Sequence, residues 1–330
     1  MENMYHISPS GTSTVVSCVL ISSYYYIASM ALLPSSSSSR HRRMLPVALL
    51  LLLAMAIVAP RSAVVALMYD EVDITWGQDH SFFYMDGDVD TLALRLDETH
   101  GSGFASKDAY LYGRFDVDIM LVANNSAGTV ATFYLMPDGD EVPWAYHDEV
   151  DLEFLGNETG QPYTLHTNVF VNGVGGREQQ FRLWFDPTTD FHTYSIEWNP
   201  KHIIILVDGT PVRAYSNGAA RGIAFPTWQR MRPQGTLWNA DEWATQGGRV
   251  KTDWTQAPFY AYYRNLRVTP CVPSPGVAWC GDEPPESPWF DRSLDAEALR
   301  KAQADRMIYD YCADLKRFKD KGLPKECTTN

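Results

Sequence analysis

Positive charge is scarce in this chain. Lys and Arg total 27 against 40 Asp and Glu, a net of −13. Residues 1–66 hold Arg40, Arg42, Arg43 and Arg61 with Glu2 as their one acid, a net of +3, which leaves −16 on the remainder. A body this acidic repels phosphate backbones, which excludes nucleic acid as a partner, and it repels anionic polysaccharides as well. A neutral polymer fits better. Cysteine is absent between Cys18 and Cys271. Long apolar runs are lacking too: Leu45 to Ala59 falls short of the roughly 20 residues that a membrane span needs. No nucleotide-binding or metal-ligating motif is visible, so neither cofactor nor metal is expected. There is no βαβ rhythm and no internal repeat.

What is present is an ordinary globular composition, 45% hydrophobic and 20% charged, in 330 residues. Aromatic residues make up 13%, with 10 Trp and 18 Tyr. They fill strands and cores, or they form platforms on which sugars stack. The basic cluster Arg40-His41-Arg42-Arg43, the apolar run after it, and the small residues Ser62, Ala63 and Ala66 have the layout of a signal peptide. Residues 1–66 are expected to be leader and signal peptide, and the chain to be secreted without a stable membrane anchor after cleavage. A signal anchor is the alternative. Residues 1–43 read as an over-long gene start or an unusually long leader, since Met44 would open a normal signal peptide. Cys271, Cys280, Cys312 and Cys327 suit two disulfides in an oxidising compartment. Four cysteines allow three connectivities. The short-range pairs Cys271–Cys280 and Cys312–Cys327 are preferred.

From Val72 to about Thr269 the chain reads as many short strands. Alternation is clear in Thr91–Leu96 and Val150–Phe154, and strand-like runs recur at Leu165–Val171, Gln180–Trp184, His192–Trp198 and Ile203–Val207. Turn pairs Asp86-Gly87, Asn172-Gly173, Asp208-Gly209 and Asn217-Gly218 divide them. This predicts an all-β antiparallel sandwich over residues 67–269. Near Pro270 the composition shifts to Pro, Cys and Gly. A helix is expected from about Leu294 to Phe318, capped by Ser293. Residues 270–330 are too few for a core of their own and read as an extension stapled onto the sandwich.

One segment carries the chemistry. Side chains alternate across a strand, so His147, Glu149, Asp151 and Glu153 share one face, with Val150, Leu152 and Phe154 on the other. Like charges lined up on one strand face repel, a cost seldom kept for stability. A solvated acidic face needs no such pattern, and a calcium site normally draws its ligands from a loop. Close carboxyls instead split their proton affinities, as acid–base chemistry requires. Retaining glycoside hydrolysis needs two carboxyls about 5–5.5 Å apart. Residues i and i+4 of a flat strand are about 13 Å apart, so Glu149 and Glu153 must lean together over a curved sheet. Asp151, between them, can hold a proton and tune both neighbours.

At this segment the chain resembles the xyloglucan endotransglucosylase/hydrolases, a plant branch of the family 16 glycoside hydrolases. The likeness covers about residues 70–330. His147 to Asn157 (HDEVDLEFLGN) looks like the family signature. Asn157-Glu158-Thr159 looks like its adjacent glycosylation site, and Asn124-Asn125-Ser126 is a second such tripeptide. Gly101–Phe104, Tyr110–Phe115, Ser126–Val130, Thr167–Phe170, Trp184–Pro187, Phe191–Tyr194, Leu237–Thr245 and Lys251–Trp254 also match, as does the tail Met307–Cys312 with Cys327.

The resemblance implies a concanavalin-like β-jelly roll with a curved cleft and the two local disulfides. It implies Glu149 as nucleophile, Glu153 as acid/base and Asp151 as helper. Tyr110, Asn168, Arg177, Trp238, Trp243 and Gly248 would line the glucan cleft, with His147, His166 and Glu178 beside them. The expected activity joins a xyloglucan donor to a xyloglucan or oligosaccharide acceptor, in the apoplast, as a monomer. Several positions depart from the family. His166 stands where many members have Gln, Gln180 where many have Arg, and Lys301 where Trp is common. Asp138–Tyr146 contains a few extra residues before the signature, and Arg230–Pro233 replaces an apolar stretch. Two rivals remain: a related enzyme acting on mixed-linkage glucan or cellulose, and a lectin-like binder without turnover.

Overall fold

The structure is a computed structural model that describes residues 67–271, Trp289 and residues 296–328. The expected leader and Cys280 lie outside the described residues. In chain order the strands are β1 Val72–Trp76, β2 Ser81–Asp86, β3 Val89–Leu96, β4 Ser102–Ser106, β5 Gly113–Met120, β6 Thr129–Met136, β7 Glu149–Leu155 and β8 Thr164–Phe170. They continue as β9 Gln179–Arg182, β10 His192–Trp198, β11 His202–Val207, β12 Thr210–Ser216, β13 Arg232–Asn239, β14 Phe259–Pro270 and β15 Met307–Asp310. Two helices are described, α1 Met68–Glu71 and α2 Ala296–Ala304.

The strands form two sheets. One has eight strands in the order β1-β4-β13-β6-β7-β8-β9-β15, the other seven in the order β12-β11-β10-β5-β14-β3-β2. This is the all-β sandwich read from the sequence. Its core is the seam where alternating apolar residues of both sheets meet. Val150, Leu152 and Phe154 of β7 are fully buried, as are Tyr194, Ile196 and Trp198 of β10. Phe154 meets Tyr194 edge to face at 4.6 Å between ring centres. Each such side chain contributes about 1.5–3 kcal/mol through burial. With its apolar residues committed to the seam, β7 must turn Glu149, Asp151 and Glu153 outward, at the middle of the eight-stranded sheet. Three of the four predicted turns use the left-handed region: Gly87, Asn172 with Gly173, and Asp208 with Gly209. Gly218 has φ −110° and does not.

The C-terminal segment corrects one expectation. The helix predicted to reach Phe318 ends at Ala304, and the chain then extends as β15, antiparallel to β9, with Met307 opposite Phe181 and Tyr309 opposite Gln180. The open hydrogen-bonding edge of β9 competes with helix propensity, and Ile308 and Tyr309 suit a strand. The Asp310 carboxylate then accepts from the Cys312 amide at 3.1 Å and starts a 3-10 turn. Cys312 is bonded to Cys327, as preferred from the sequence. Cys271 is also disulfide-bonded, but Cys280 lies outside the described residues.

The departure at Arg230–Pro233 runs into the start of a strand. Arg232 opens β13 opposite Met136, and its guanidinium reaches Asp138 Oδ2 at 3.1 Å. Asp138 begins the extra rim segment, so two departures from the family pattern hold each other. Farther along that segment, the buried Gln229 donates to the Tyr146 carbonyl at 2.8 Å and accepts from the Asp148 amide at 2.7 Å.

Candidate active site

Strand register brings the cleft together. On β6, Thr132 lies opposite Glu153 and Tyr134 opposite Asp151. On β8, Phe170, Asn168 and His166 lie opposite Glu149, Asp151 and Glu153 in turn. With Met136, Trp144, Thr236 and Trp238, the three acids, Thr132, Tyr134, Asn168 and Phe170 line a cavity of about 320 Å³. Thr132 and Thr236 share a 2.7 Å hydroxyl hydrogen bond, and the Tyr134 hydroxyl donates to Gln234 Oε1 at 3.1 Å.

The acids have different surroundings. Glu149 Oε2 is 2.7 Å from His147 Nε2, while His147 Nδ1 bonds the Trp144 carbonyl. The imidazole is thereby fixed at both nitrogens and lies between two aromatic rings, Trp144 at 4.3 Å and Phe170 at 5.4 Å. The hydrogen bond to Glu149 raises the proton affinity of His147. Asp151 is buried. Burial, then the charges of Glu149 and Glu153, then a hydrogen bond shared with Glu149 lift its pKa well above the carboxylate range, with Arg213 pulling the other way. Asp151 is therefore favoured to hold a proton. Glu153 is pushed up to about 7, first by burial, then by Glu149, then by Glu178.

His166 and Gln180, two of the family departures, bond each other: Gln180 Nε2 donates to His166 Nδ1 at 2.9 Å. That leaves the proton of the neutral ring on Nε2, which faces Glu153 Oε2 at 3.6 Å. Burial lowers the His166 pKa to about 4, so the ring is neutral near neutrality. Asn168 Oδ1 accepts from the amides of Val169 and Arg177 at 2.9 and 3.0 Å, which orients its amide nitrogen as the group free to meet a ligand.

The other expected binding residues are distributed around this centre. Trp243 lies 6.1 Å from His166 and 6.2 Å from Trp238 between ring centres. Gly248 has φ +81°, and a Cβ there would stand 2.0 Å from the Glu242 carbonyl oxygen, so this turn demands glycine. Tyr110 packs against Phe115 and pairs through its backbone with Met231. Arg177 and Glu178 engage the C-terminal segment. Arg177 Nε donates to Glu326 at 2.8 Å and Nη1 to the Val169 and Val174 carbonyls; Glu178 binds Arg317 at 2.5 and 3.2 Å. Asn157 lies in the β7–β8 connection, and Ser126, from the second tripeptide, accepts its amide at 3.1 Å. Asn124 is exposed in the connection before β6.

Sequence reasoning missed Thr132, Tyr134, Met136, Phe170 and Thr236. Alternation along β6, β8 and β13 gives each its own face, but only the register of β6 and β8 against β7, and of β13 against β6, brings these faces to the acids. It also missed Arg213, buried beneath the sheet, which donates to Thr167 Oγ1 at 2.7 Å and the Arg177 carbonyl at 2.5 Å.

A β-sandwich with unequal carboxyls on one strand of an open cleft has the equipment of a glycoside-active enzyme. The family profile for glycosyl hydrolases family 16 matches residues 68–256, and that for the xyloglucan endo-transglycosylase C-terminus matches residues 284–327. Xyloglucan endotransglucosylase protein 1 of Diospyros kaki is 52% identical over 262 residues, 78% of this chain and 87% of that protein. Xyloglucan endotransglucosylase/hydrolase protein 15 of Arabidopsis thaliana is 50% identical over 275 residues, 81% and 91% of the two. A solved Bacillus licheniformis β-glucanase aligns over 60% of this chain and 92% of its own, at 24% identity and a TM-score of 0.47. The chain belongs to the xyloglucan endotransglucosylase/hydrolase family, within the family 16 glycosyl hydrolases.

Proposed function

We propose that this protein cleaves and religates xyloglucan by a retaining double displacement, in the construction and remodelling of the plant cell wall. Glu153, protonated, donates to the leaving glycosidic oxygen while Glu149 attacks the anomeric carbon. A glycosyl-enzyme forms and the leaving chain departs. Glu153, now ionised, takes the proton of an acceptor hydroxyl, which attacks the same carbon and releases Glu149. Water in place of the sugar hydroxyl gives hydrolysis. Asp151 keeps its proton against Glu149, and His147 holds the other side of that carboxylate.

The observation that carries this reading is the inequality of acids on one strand: Glu153 is poised near 7 while its partner Glu149 is held by two hydrogen bonds. The xyloglucan assignment rests on the relatives' names and the matched C-terminal module. The reading includes export to the apoplast, a monomer, and glycans at Asn157 and Asn124. Among the described residues no helix is long and apolar enough to cross a membrane. Residues 67–269 would form the catalytic sandwich and 270–330 its stapled extension, with Cys271–Cys280 as the second disulfide.

A second reading keeps the mechanism and changes the polymer to mixed-linkage glucan or cellulose, favoured by the extra rim segment carrying Trp144. The test is incubation with xyloglucan and a fluorescent xyloglucan oligosaccharide. Label entering high-mass polymer is the expected result. Shortening without incorporation would make the protein a hydrolase. Inactivity on xyloglucan with turnover of mixed-linkage glucan would establish the second reading, and binding without turnover on any glucan would make it a lectin.

A further inference from the structure

We propose that Asp79, His80 and His100 form a binding site for one divalent transition-metal ion of the zinc class, at the corner of the sandwich beside the cleft sheet. These residues lie outside the acid cluster and have no part in the chemistry above.

The three side chains come from two connections. Asp79 and His80 sit in the 3-10 turn Gln78–His80 between β1 and β2, and His100 lies in the connection between β3 and β4. One potential ligand atom from each lies within 4.8 Å of the others. His80 Nδ1 is 3.4 Å from Asp79 Oδ2, and His100 Nε2 is 3.6 Å from Asp79 Oδ1. Ligands held about 2.0–2.2 Å from a tetrahedral ion are roughly 3.3–3.5 Å from one another, and the two nitrogen–carboxylate separations, made to different oxygens of Asp79, are close to that spacing, with the two imidazole rings 3.9 Å apart between centres.

The histidines present the right nitrogens. Asp97 accepts from His80 Nε2 at 2.9 Å and is surrounded by further donors: Arg95, the Thr99 hydroxyl and the Thr99 amide. It is thus an acceptor, and the His80 proton sits on Nε2. His100 Nδ1 donates to the Gly101 carbonyl at 2.9 Å. With the outer nitrogens so engaged, the inner ones, Nδ1 of His80 and Nε2 of His100, face Asp79. A carboxylate or carbonyl fixing the outer N–H while the inner nitrogen binds the ion is the usual second layer of a histidine metal site. His80 is only 4% exposed, and its buried Nδ1 makes no well-formed hydrogen bond, with the Asp79 carboxylate 3.4 Å away. A buried nitrogen left unpaired is costly, and an ion would satisfy it. Two imidazoles and one carboxylate suit zinc, nickel or copper better than calcium, which takes oxygens.

The corner is built tightly. A Cβ at Gly77 would stand 2.4 Å from the Gly101 oxygen, and one at Gly101 would stand 1.9 Å from the Leu237 oxygen and 3.3 Å from Trp238 Cα. An ion here would staple the β1–β2 and β3–β4 connections next to the strand that carries Trp238 into the cleft.

The rival is a doubly protonated His80 paired with both Asp79 and Asp97, which needs no ion. Metal titration separates the two. The full chain, untagged and stripped with a chelator, is titrated with Zn²⁺ against a chromophoric competitor. Co²⁺ is followed separately by its visible absorption. The expected result is one Zn²⁺ per chain and a four-coordinate Co²⁺ spectrum. Exposed ligands allow folded variants, so His100→Ala and Asp79→Asn should each weaken binding at least about tenfold. The neighbouring Glu98→Gln should leave it unchanged. Zn²⁺ should raise the melting temperature of the parent chain and not that of His100→Ala. No saturable binding, or equal binding by parent and both ligand variants, would overturn the site and favour the protonated pair.

Discussion

Glu153 and Glu178 lie on the same side of one sheet and have opposite fates. Glu153, in the middle, pairs with no Lys or Arg among the described residues; burial and its acidic neighbours lift it to about 7. Glu178, just before β9, is also pushed up by burial, but the paired hydrogen bonds from Arg317 outweigh this and hold it below the ordinary range. Similar residues thus serve chemistry at the centre and attachment at the edge, according to whether a counter-ion is supplied. A strained, protonatable acid is useful where a proton must be given away. A paired, ionised acid is useful where the C-terminal segment must stay docked.

The sharpest way to test this division is to remove one acid at the centre. Glu149→Gln keeps shape and loses the attacking oxygen, so turnover should fall by about four orders of magnitude or more, with glucan binding near intact. Glu153→Gln should cost about 10²–10⁴-fold, most for poor leaving groups. Single-turnover kinetics with activated and polymeric donors distinguishes the two. If Glu153→Gln were no more impaired with polymer than with an activated donor, Glu153 would not be the acid.

At the edge the equivalent break is mechanical. Cys312 and Cys327 are 15 residues apart in sequence, and removing a crosslink over such a loop costs about 3 kcal/mol. Cys312→Ser with Cys327→Ser should lower the unfolding free energy, read from a denaturant titration, by about 3 kcal/mol, while the folded enzyme keeps most of its turnover. Loss of turnover as complete as in Glu149→Gln, in protein that is still folded, would mean that the extension takes part in the chemistry.

The centre was legible because its acids lie two residues apart, and strand alternation alone puts them on one face. The edge was not. The segment after Ala304 follows a helix-forming run, and only the pairing of Met307 and Tyr309 with β9 makes it a strand. The uncharged cleft wall was hidden for a similar reason: nothing local marks Thr132 or Thr236, which meet across 104 residues. Asp79, His80 and His100 lack a metal-ligand spacing, since a strand hairpin separates the two histidines. Chemistry confined to one strand can be read from the chain, whereas chemistry assembled from several connections requires the fold.

Centre and edge are coupled through charge, and pH exposes the coupling. Glu153 must be protonated to donate, so kcat/KM should fall as pH rises through about 7. Glu178 is one cause of that raised value. Neutralising it in Glu178→Gln should stabilise ionised Glu153 and move the alkaline limb to lower pH. A limb that moves upward would show that Glu178 acts by holding Arg317, not by its field at Glu153.

The smallest effect expected is at the rim. Trp144 is 70% exposed, yet it lines the cleft and stacks on His147. Its segment is anchored independently by Arg232 on Asp138 and by Gln229 on the Tyr146 carbonyl. Its bond to His147 is made by the backbone carbonyl, which any residue retains. Trp144→Ala should therefore leave Glu149 in place and remove only an aromatic platform, worth about 0.5–1.5 kcal/mol, or roughly two- to tenfold in KM for a long donor. Short donors that do not reach the rim should be unaffected. An unchanged KM with a reduced kcat would instead place the contribution of Trp144 in the packing that orients His147, and through it Glu149, making the rim part of the centre.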